Sequence, residues 1–386
     1  MDLELNEDQR LFRRTLREFV DGEIVPVASE WERSGRYPEE IVARFAELGL
    51  FGMTVPEEYG GLDLDRVSFA LVFEEVARGW MGVAGVLGSH SMSTWMIARY
   101  GTEEQKRRYL PGLAAGIRRT GIALTEPGAG TDLQGISTRA VRDGDHYVVD
   151  GAKTWITNAR HADPLPVLVK TSAETPAHRG MSVLLVDAGS EGFRVGRDLP
   201  KLGYRGAETC EVVLAGVRVP VSRLLGGVEG HGLRQVLSAL ELGRINVAAR
   251  AVGVAQCAYE AALGYSRGRQ AFGRPIADFQ AVRLKLADMA TEIQAARLMT
   301  YWAAARSAAG PVKAEAAMAK YFASEVALRA TMEAMRIHGG YGYSQEFVVE
   351  RLYRDAPLMA IGEGTNDVQR LIIARALIDG EAVLGW

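Results

Sequence analysis

Residues 139–149 read RAVRDGDHYVV, two β-rich runs over 139–142 and 146–149 separated by Asp143-Gly144. Aspartate followed by glycine suits the positive backbone angles of a two-residue turn, so the stretch predicts an antiparallel hairpin. Short runs of the same kind recur outward at 167–170, 181–186, 211–214 and 217–219, each bounded by turn residues. Their spacing predicts an antiparallel sheet folded into a barrel or sandwich across residues 121–231.

On either side the apolar period changes to that of a helix. Asn6 and Gln9 have the spacing of a capping box, and Leu11, Phe12, Leu16, Phe19 and Val20 follow at helical intervals. Pro38 in a first turn and Gly49 past the last bracket a second helix with Ile41, Phe45 and Leu48 on one face. Two more are expected over 67–77 and 103–110, which makes residues 1–120 an N-terminal helical domain. Beyond 231 the helices are long, over 233–262, 279–309 and 312–338, with a shorter one starting near Asn366. That pattern suits a C-terminal helical bundle over 232–386 and completes an α+β multi-domain order of helices, sheet, helices.

A chain of 386 residues exceeds the usual size of one core, so two or three domains sharing continuous interfaces are expected. The net charge of -3, with arginine scattered among acidic residues, offers no basic stripe to nucleic acid and reads as solvated helix faces. The opening MDLELNEDQR lacks the segments of a signal peptide, and no window approaches the ~20 apolar residues of a membrane helix, so a cytoplasmic protein is expected. Cys210 and Cys257 have no metal-ligand spacing and the six histidines are dispersed, so neither a disulfide framework nor a metal site is expected.

Several segments are able to carry chemistry, and each has a plain structural alternative. Residues 123–132, ALTEPGAGTD, are either a strand ending in a Pro-Gly turn or a loop whose free N–H groups cradle phosphates or a flavin edge. They are not the GxGxxG of a βαβ unit, which disfavours a nicotinamide Rossmann fold. Residues 155–158, WITN, are either an ordinary edge-strand aromatic with its neighbours or a flat indole beside a hydroxyl, suited to an isoalloxazine. Residues 269–280, RQAFGRPIADFQ, form a loop between helices in which Arg269 and Arg274 could clamp a pyrophosphate, Phe272 stack and Gln280 offer an amide. Residues 336–340, RIHGG, end a helix or let a nucleotide approach the backbone. Residues 361–369, IGEGTNDVQ, put Glu363 and Thr365 ahead of a helix capped by Asn366 and Gln369. The Glu363 carboxylate either complements the helix dipole or, between glycines, serves as a catalytic base. Residues 241–244, ELGR, leave open whether Glu241 and Arg244 face solvent or a ligand groove.

Taken in order, these segments resemble the acyl-CoA dehydrogenase family over essentially the whole chain. The resemblance implies FAD held by Leu124, Thr125, Gly130 and Thr131, by Trp155, Ile156 and Thr157, and by Arg269, Phe272, Phe279 and Gln280. It adds Arg336, Ile337, Gly339, Gly340, Thr365 and Asp367 to that cofactor set, part of it serving the nucleotide of a neighbouring subunit in a homotetramer built as a pair of dimers. Thr131, Glu241, Arg244 and Gly364 match positions near the thioester ligand, and Glu363 of the Glu-Gly-Thr motif matches the base.

The implied activity is α,β-dehydrogenation of an acyl-CoA, or of an acyl carrier protein thioester, with electrons passed to electron-transferring flavoprotein. Gly243 and the position of Trp95 resemble members that take short or branched acyl groups. Gly362 stands where a number of members carry a bulky aromatic, and Gly243 stands where a subset carries its base, which leaves Glu363 as the motif-supported one. Flavin-dependent oxidases and monooxygenases of the same architecture are the alternative.

Overall fold

The computed structural model describes residues 4–174 and 176–380; residues 1–3, 175 and 381–386, including the last six positions of the expected bundle, lie outside the described residues. The first helices are α1 (Glu7–Phe19), α2 (Val25–Ser34), α3 (Glu39–Glu47), α4 (Arg66–Tyr100) and α5 (Glu103–Ala114). The middle strands are β1 (Arg139–Asp143), β2 (His146–Thr157), β3 (Leu165–Lys170), β4 (Met181–Val186), β5 (Phe193–Asp198) and β6 (Thr209–Pro220). A long α6 (Gly232–Gly268) leads into the small ladder of β7 (Gln270–Ala271) and β8 (Arg274–Pro275). The chain closes with α7 (Gln280–Ser307), α8 (Lys313–His338), α9 (Val348–Ile361) and α10 (Asn366–Ile378). Helix, sheet and helix follow in the expected order.

Local chemistry explains several boundaries. Asn6 accepts the Gln9 N–H at 2.8 Å while the Gln9 side chain accepts the Asn6 N–H at 3.1 Å, so the capping box starts α1. The expected helix over 67–77 runs on to Tyr100 through Gly79, Gly82, Gly85 and Gly88. Burial on nearly every side outweighs the poor helix propensity of glycine there. Its one break is Trp80, whose backbone is extended at φ -158°. The runs at 211–214 and 217–219 join into β6, and β5 and α9 were not anticipated; β5 is short and largely exposed, which blurs its alternation.

The sheet has the order β4-β3-β1-β2-β6-β5. The β1–β2 hairpin forms as expected, but its two turn residues are Gly144, at φ 60°, and Asp145, while Asp143 ends β1 paired with His146. Pairing is antiparallel except between β1 and β3, which meet in parallel at Arg139 and Lys170. The expected antiparallel sheet is therefore mixed: β3 runs opposite to β2, hence alongside β1.

The C-terminal core is formed by α6 and α8 against α4, with alanine and valine filling the contacts. A set of charges is buried among these helices. Glu74 accepts from Arg297 at 2.9 Å and from the Tyr301 hydroxyl at 2.7 Å, and Glu75 accepts from Arg13 at 2.7 Å and Arg17 at 3.0 Å. Part of the arginine content thus ties α1, α4 and α7 together rather than coating exposed faces. Buried Glu32 on α2 accepts the Trp80 indole at 2.8 Å and the backbone N–H groups of Arg205 at 2.7 Å and Gly206 at 3.0 Å. Asp355 on α9 accepts the Tyr204 N–H at 2.7 Å. The 203–206 loop is pinned between the two helical parts.

The glycine loop after α5 is tied to β2 by a second buried pair. Lys153 donates to Glu126 at 2.9 Å and to the Leu124 carbonyl at 3.0 Å, and Glu126 also accepts from Ser137 N at 2.6 Å and Thr138 N at 2.9 Å. Burial pushes the Glu126 carboxyl up, but these donors outweigh it and hold the group at about 2. Its contribution to stability is present above the ordinary carboxylate range and is lost as pH falls toward about 2. Glu126→Gln strands the Lys153 ammonium in the interior and is expected to cost about 3–5 kcal/mol in chemical denaturation at neutral pH. A loss below about 1 kcal/mol would show that water reaches this pair.

Candidate active site

The turn between α9 and α10 carries Glu363 at φ 55°, a left-handed conformation that residues with a Cβ seldom adopt. Its neighbours hold it there. Lys320 on α8 donates to the Gly364 carbonyl at 2.8 Å, to Asn366 Oδ1 at 3.0 Å and to the Ala360 carbonyl at 3.3 Å. Gln369 donates to the carbonyls of Gly364 at 2.9 Å and Glu363 at 3.3 Å. With its carbonyls fixed from below, the turn aims the Glu363 side chain at α6. The expected capping box of Asn366 and Gln369 is not formed. Thr365 is the cap, accepting the Val368 N–H at 3.4 Å, because the Asn366 amide is engaged by Lys320, Ser324 and Glu325 of α8 and the Gln369 amide by the turn carbonyls.

The Glu363 carboxylate rests on the bare backbone of Gly243. A Cβ on Gly243 would overlap Glu363 Oε2 and crowd Met92 Sδ at 2.5 Å. Glu363 Oε1 lies 3.4 Å from Arg250 Nη2, and Oε2 is buried without a hydrogen-bond partner. Burial pushes the carboxyl above its ordinary value, opposed by Arg250, Lys320 and Arg244 in that order. Lys320 is brought down to about 8 by its own burial. Gly362 has φ -69° and ψ 154°, open to any residue, so its lack of a side chain shapes space rather than the backbone.

Arg244 is buried with its Nε unpartnered, and its electrostatic neighbours are Glu241 and Glu363. Glu241 is half-buried and accepts the Val312 N–H at 3.3 Å, so it serves a helix start rather than lying exposed. Gly364 has φ 89° and lies over the Gln369 amide.

Across from this turn, Trp155 interrupts β2 at φ 62° with its indole 57% exposed, between buried Thr154 and Ile156. Thr157 approaches the Tyr204 hydroxyl, which Arg250 also reaches. The loop with Leu124, Thr125, Gly130 and Thr131 lies beside this strand, the Thr154 N–H meeting the Thr125 carbonyl at 2.9 Å. Leu124 is buried, whereas Gly130 and Thr131 are exposed, and a Cβ on Gly128 would meet nothing within 4 Å. A flat exposed aromatic beside bare backbone N–H groups fits a flat polar ring system.

A second group gathers at the far end of α6 and α8. Arg269, Ile337, Gly339 and Gly340 line a cavity of about 640 Å³ with Tyr265, His338 and Tyr341. A Cβ on Gly339 or Gly340 would meet nothing within 4 Å, and Gly339 has φ 62°. Phe272 projects 96% exposed, 6.0 Å edge-on from Phe279, and Arg274 covers the Phe279 ring at 4.3 Å. Gln280 and Arg336 are exposed outside that cavity, Arg336 paired with Glu333; Asp367 is also exposed, 3.7 Å from Arg370. The expected residues therefore fall into two groups, one around Glu363 and one around Arg269. Trp95 packs edge-on against Tyr100 at 6.1 Å.

The sequence reading missed Arg250, Asn246, Tyr204 and Lys320 near Glu363. A signal for the first two was available: Arg250 and Asn246 interrupt the otherwise apolar stretch 245–255 of α6, at four- and three-residue steps from each other and from Gly243. Tyr204 and Lys320 had none, since their places depend on how loop and helix pack.

Sequence models for the acyl-CoA dehydrogenase N-terminal, middle and C-terminal domains match residues 6–117, 121–217 and 230–378. The chain is 43% identical to the probable acyl-CoA dehydrogenase YngJ of Bacillus subtilis (strain 168), over 98% of this chain and 100% of that one. Its fold is similar to butyryl-CoA dehydrogenase from Megasphaera elsdenii, with a TM-score of 0.95, 38% identity, and coverage of 98% of this chain and 100% of that one. It is also similar to a glutaryl-CoA dehydrogenase from Mycobacterium smegmatis in complex with FADH2, with a TM-score of 0.92, 32% identity, and coverage of 99% and 97%. Three domain matches in order and near-complete coverage leave one assignment: this chain belongs to the acyl-CoA dehydrogenase family.

Proposed function

We propose that this protein is an FAD-dependent dehydrogenase that places a double bond between the α and β carbons of a short or branched acyl-CoA, with Glu363 as the base. The observation that carries the reading is the Glu363 carboxylate itself: partly buried, set on the bare backbone of Gly243, and with its buried Oε2 free to accept a proton. The division of the chain at about 120 and 231, a homotetramer, and transfer of electrons to electron-transferring flavoprotein belong to the same reading.

The residues fit the cofactor. Leu124, Thr125, Gly130, Thr131 and Trp155–Thr157 would hold the flavin ring, and Arg269 with Phe272, Gly339 and Gly340 would meet the pyrophosphate and nucleotide. When bound, the flavin supplies the acceptor for two electrons and the β hydrogen. The chain's own task is to take the α proton. A thioester α carbon is a weak acid, so a base of raised pKa in a dry site lies closer to the driving force the transfer needs. Loss of that proton to Glu363 and of the β hydrogen with its bonding pair leaves the double bond. The clamp from Lys320 and Gln369 fixes the base where the α carbon must lie.

Glu363→Gln keeps volume and polarity but cannot accept the proton. Single-turnover flavin reduction is expected to slow by about 10²- to 10⁴-fold with FAD content unchanged. Reduction at the wild-type rate would remove Glu363 from the mechanism. Because the base acts deprotonated, kcat/KM falls as pH drops through its pKa. That acid limb is expected above the ordinary carboxylate value of 4.5, since burial outweighs Arg250, Lys320 and Arg244.

Gly243→Ala must displace the carboxylate, because the new Cβ occupies the place of Oε2. Turnover is expected to fall by about 10²-fold while the thermal midpoint stays near wild type. An unaffected kcat would mean that the base works from another position. Arg269→Ala is expected to weaken FAD retention by about 10- to 10²-fold in equilibrium titration, through loss of a charge-assisted partner. Unchanged affinity would take Arg269 out of the cofactor site.

A further inference from the structure

Gly243, Asn246 and Arg250 succeed one another at steps of three and four along α6 and share one face of the helix. Gly243 underlies the Glu363 carboxylate, so Asn246 and Arg250 lie progressively farther from it along the helix. Asn246 is fully buried, yet neither its Nδ2 nor its Oδ1 has a partner. The amide faces the bare backbone of Gly88 on α4, where a Cβ would sit 2.8 Å from Nδ2. Arg250 is 6% exposed and its Nε is also unpartnered. The Tyr204 hydroxyl closes the same region, packed onto Gly85 so tightly that a Cβ there would overlap it. Glycines on α4 thus let Tyr204 and Asn246 pack onto its backbone, where polar groups from α6 and the 203–206 loop converge.

An alkyl tail entering this region would leave the Arg250 Nε–H and the Asn246 amide without partners. Buried polar groups left so are costly, and protein interiors avoid them. The 3.4 Å separation of Arg250 from Glu363 is longer than the 2.7–2.9 Å of a close charge-assisted bond, so the cation is not fully engaged. A carboxylate supplies acceptors for the guanidinium fork, the Asn246 amide and the Tyr204 hydroxyl together.

We propose that the acyl group taken by this site ends in a carboxylate, received by Arg250 with Asn246 and Tyr204. The inference rests on the dehydrogenation reading above and names its substrate class. Since Arg250 reaches the base itself, the two carboxylates are separated by only a few carbons. That distance selects acyl groups of succinyl to glutaryl size, in coenzyme A thioester form. The carboxylate is recognised and kept; the bonds that change are those at the α and β carbons. Occupation of Arg250 by the substrate also withdraws from Glu363 a cation that opposes its basicity.

The test compares glutaryl-CoA with pentanoyl-CoA on the purified holoenzyme, by anaerobic flavin bleaching, in wild type and in Arg250→Gln. A second measurement compares calorimetric binding of S-(4-carboxybutyl)-CoA and S-pentyl-CoA, thioethers that cannot be dehydrogenated. Wild type is expected to favour the carboxylated member of each pair by about 10- to 10²-fold, and Arg250→Gln to lose that ratio. Reading a ratio within each variant cancels any general loss of activity. Equal or reversed preference in wild type overturns the inference while pentanoyl-CoA bleaching leaves the dehydrogenation reading standing. A ratio that survives in Arg250→Gln overturns the assignment to Arg250. Tighter binding of the carboxylated thioether, lost in Arg250→Gln, with no bleaching by either thioester, supports the recognition and overturns the dehydrogenation reading instead.

Discussion

Keeping one carboxylate inside the protein with an oxygen unsatisfied is the constraint around which this molecule is arranged. Glu363 gains no full set of partners for its burial, and its backbone is held in a region that side chains with a Cβ avoid. Such a conformation persists only where the surroundings over-determine it. Lys320 and Gln369 do so by binding the carbonyls of the turn, and Gly243 does so by leaving the space into which the carboxylate drops. Three helices, α6, α8 and α10, must therefore be in register for one side chain to be placed.

The N-terminal helices and the sheet contribute from the other side. Glycines of α4 allow its backbone to approach Tyr204 and Asn246, and the break at Trp80 lets the indole meet Glu32. Glu32 and Asp355 together fix the loop that presents Tyr204, with burial and the mutual repulsion of the two carboxylates pushing Asp355 above its ordinary value. The candidate site is thus assembled from all three parts of the chain. Its polarity is set by Arg250, a buried guanidinium beside the Glu363 carboxylate.

The exposed features have a different logic. Trp155, Phe272 and the glycines near 128 and 340 leave large apolar faces and free backbone in the open. Aromatic side chains exposed to this degree are places that a ligand or a neighbouring chain covers. The division of these residues into two groups fits a cofactor shared between subunits, which is part of the proposed function.

What the sequence determined was whatever local rules govern. The β1–β2 hairpin at Gly144, the Asn6 capping box, the long helices of the bundle and the isolation of Glu363 between glycines all follow from neighbours a few residues away. The ordered motifs then sufficed for the family. The parallel contact of β1 with β3, the continuation of α4 through four glycines, and the transfer of the α10 cap from Asn366 to Thr365 depend on packing partners far along the chain. So does the meeting of Arg250 with Glu363, separated by 113 residues. Periodicity can say that a side chain points inward, but which charge it meets there is fixed only when distant helices are brought together, because desolvation and pairing are properties of the assembled interior.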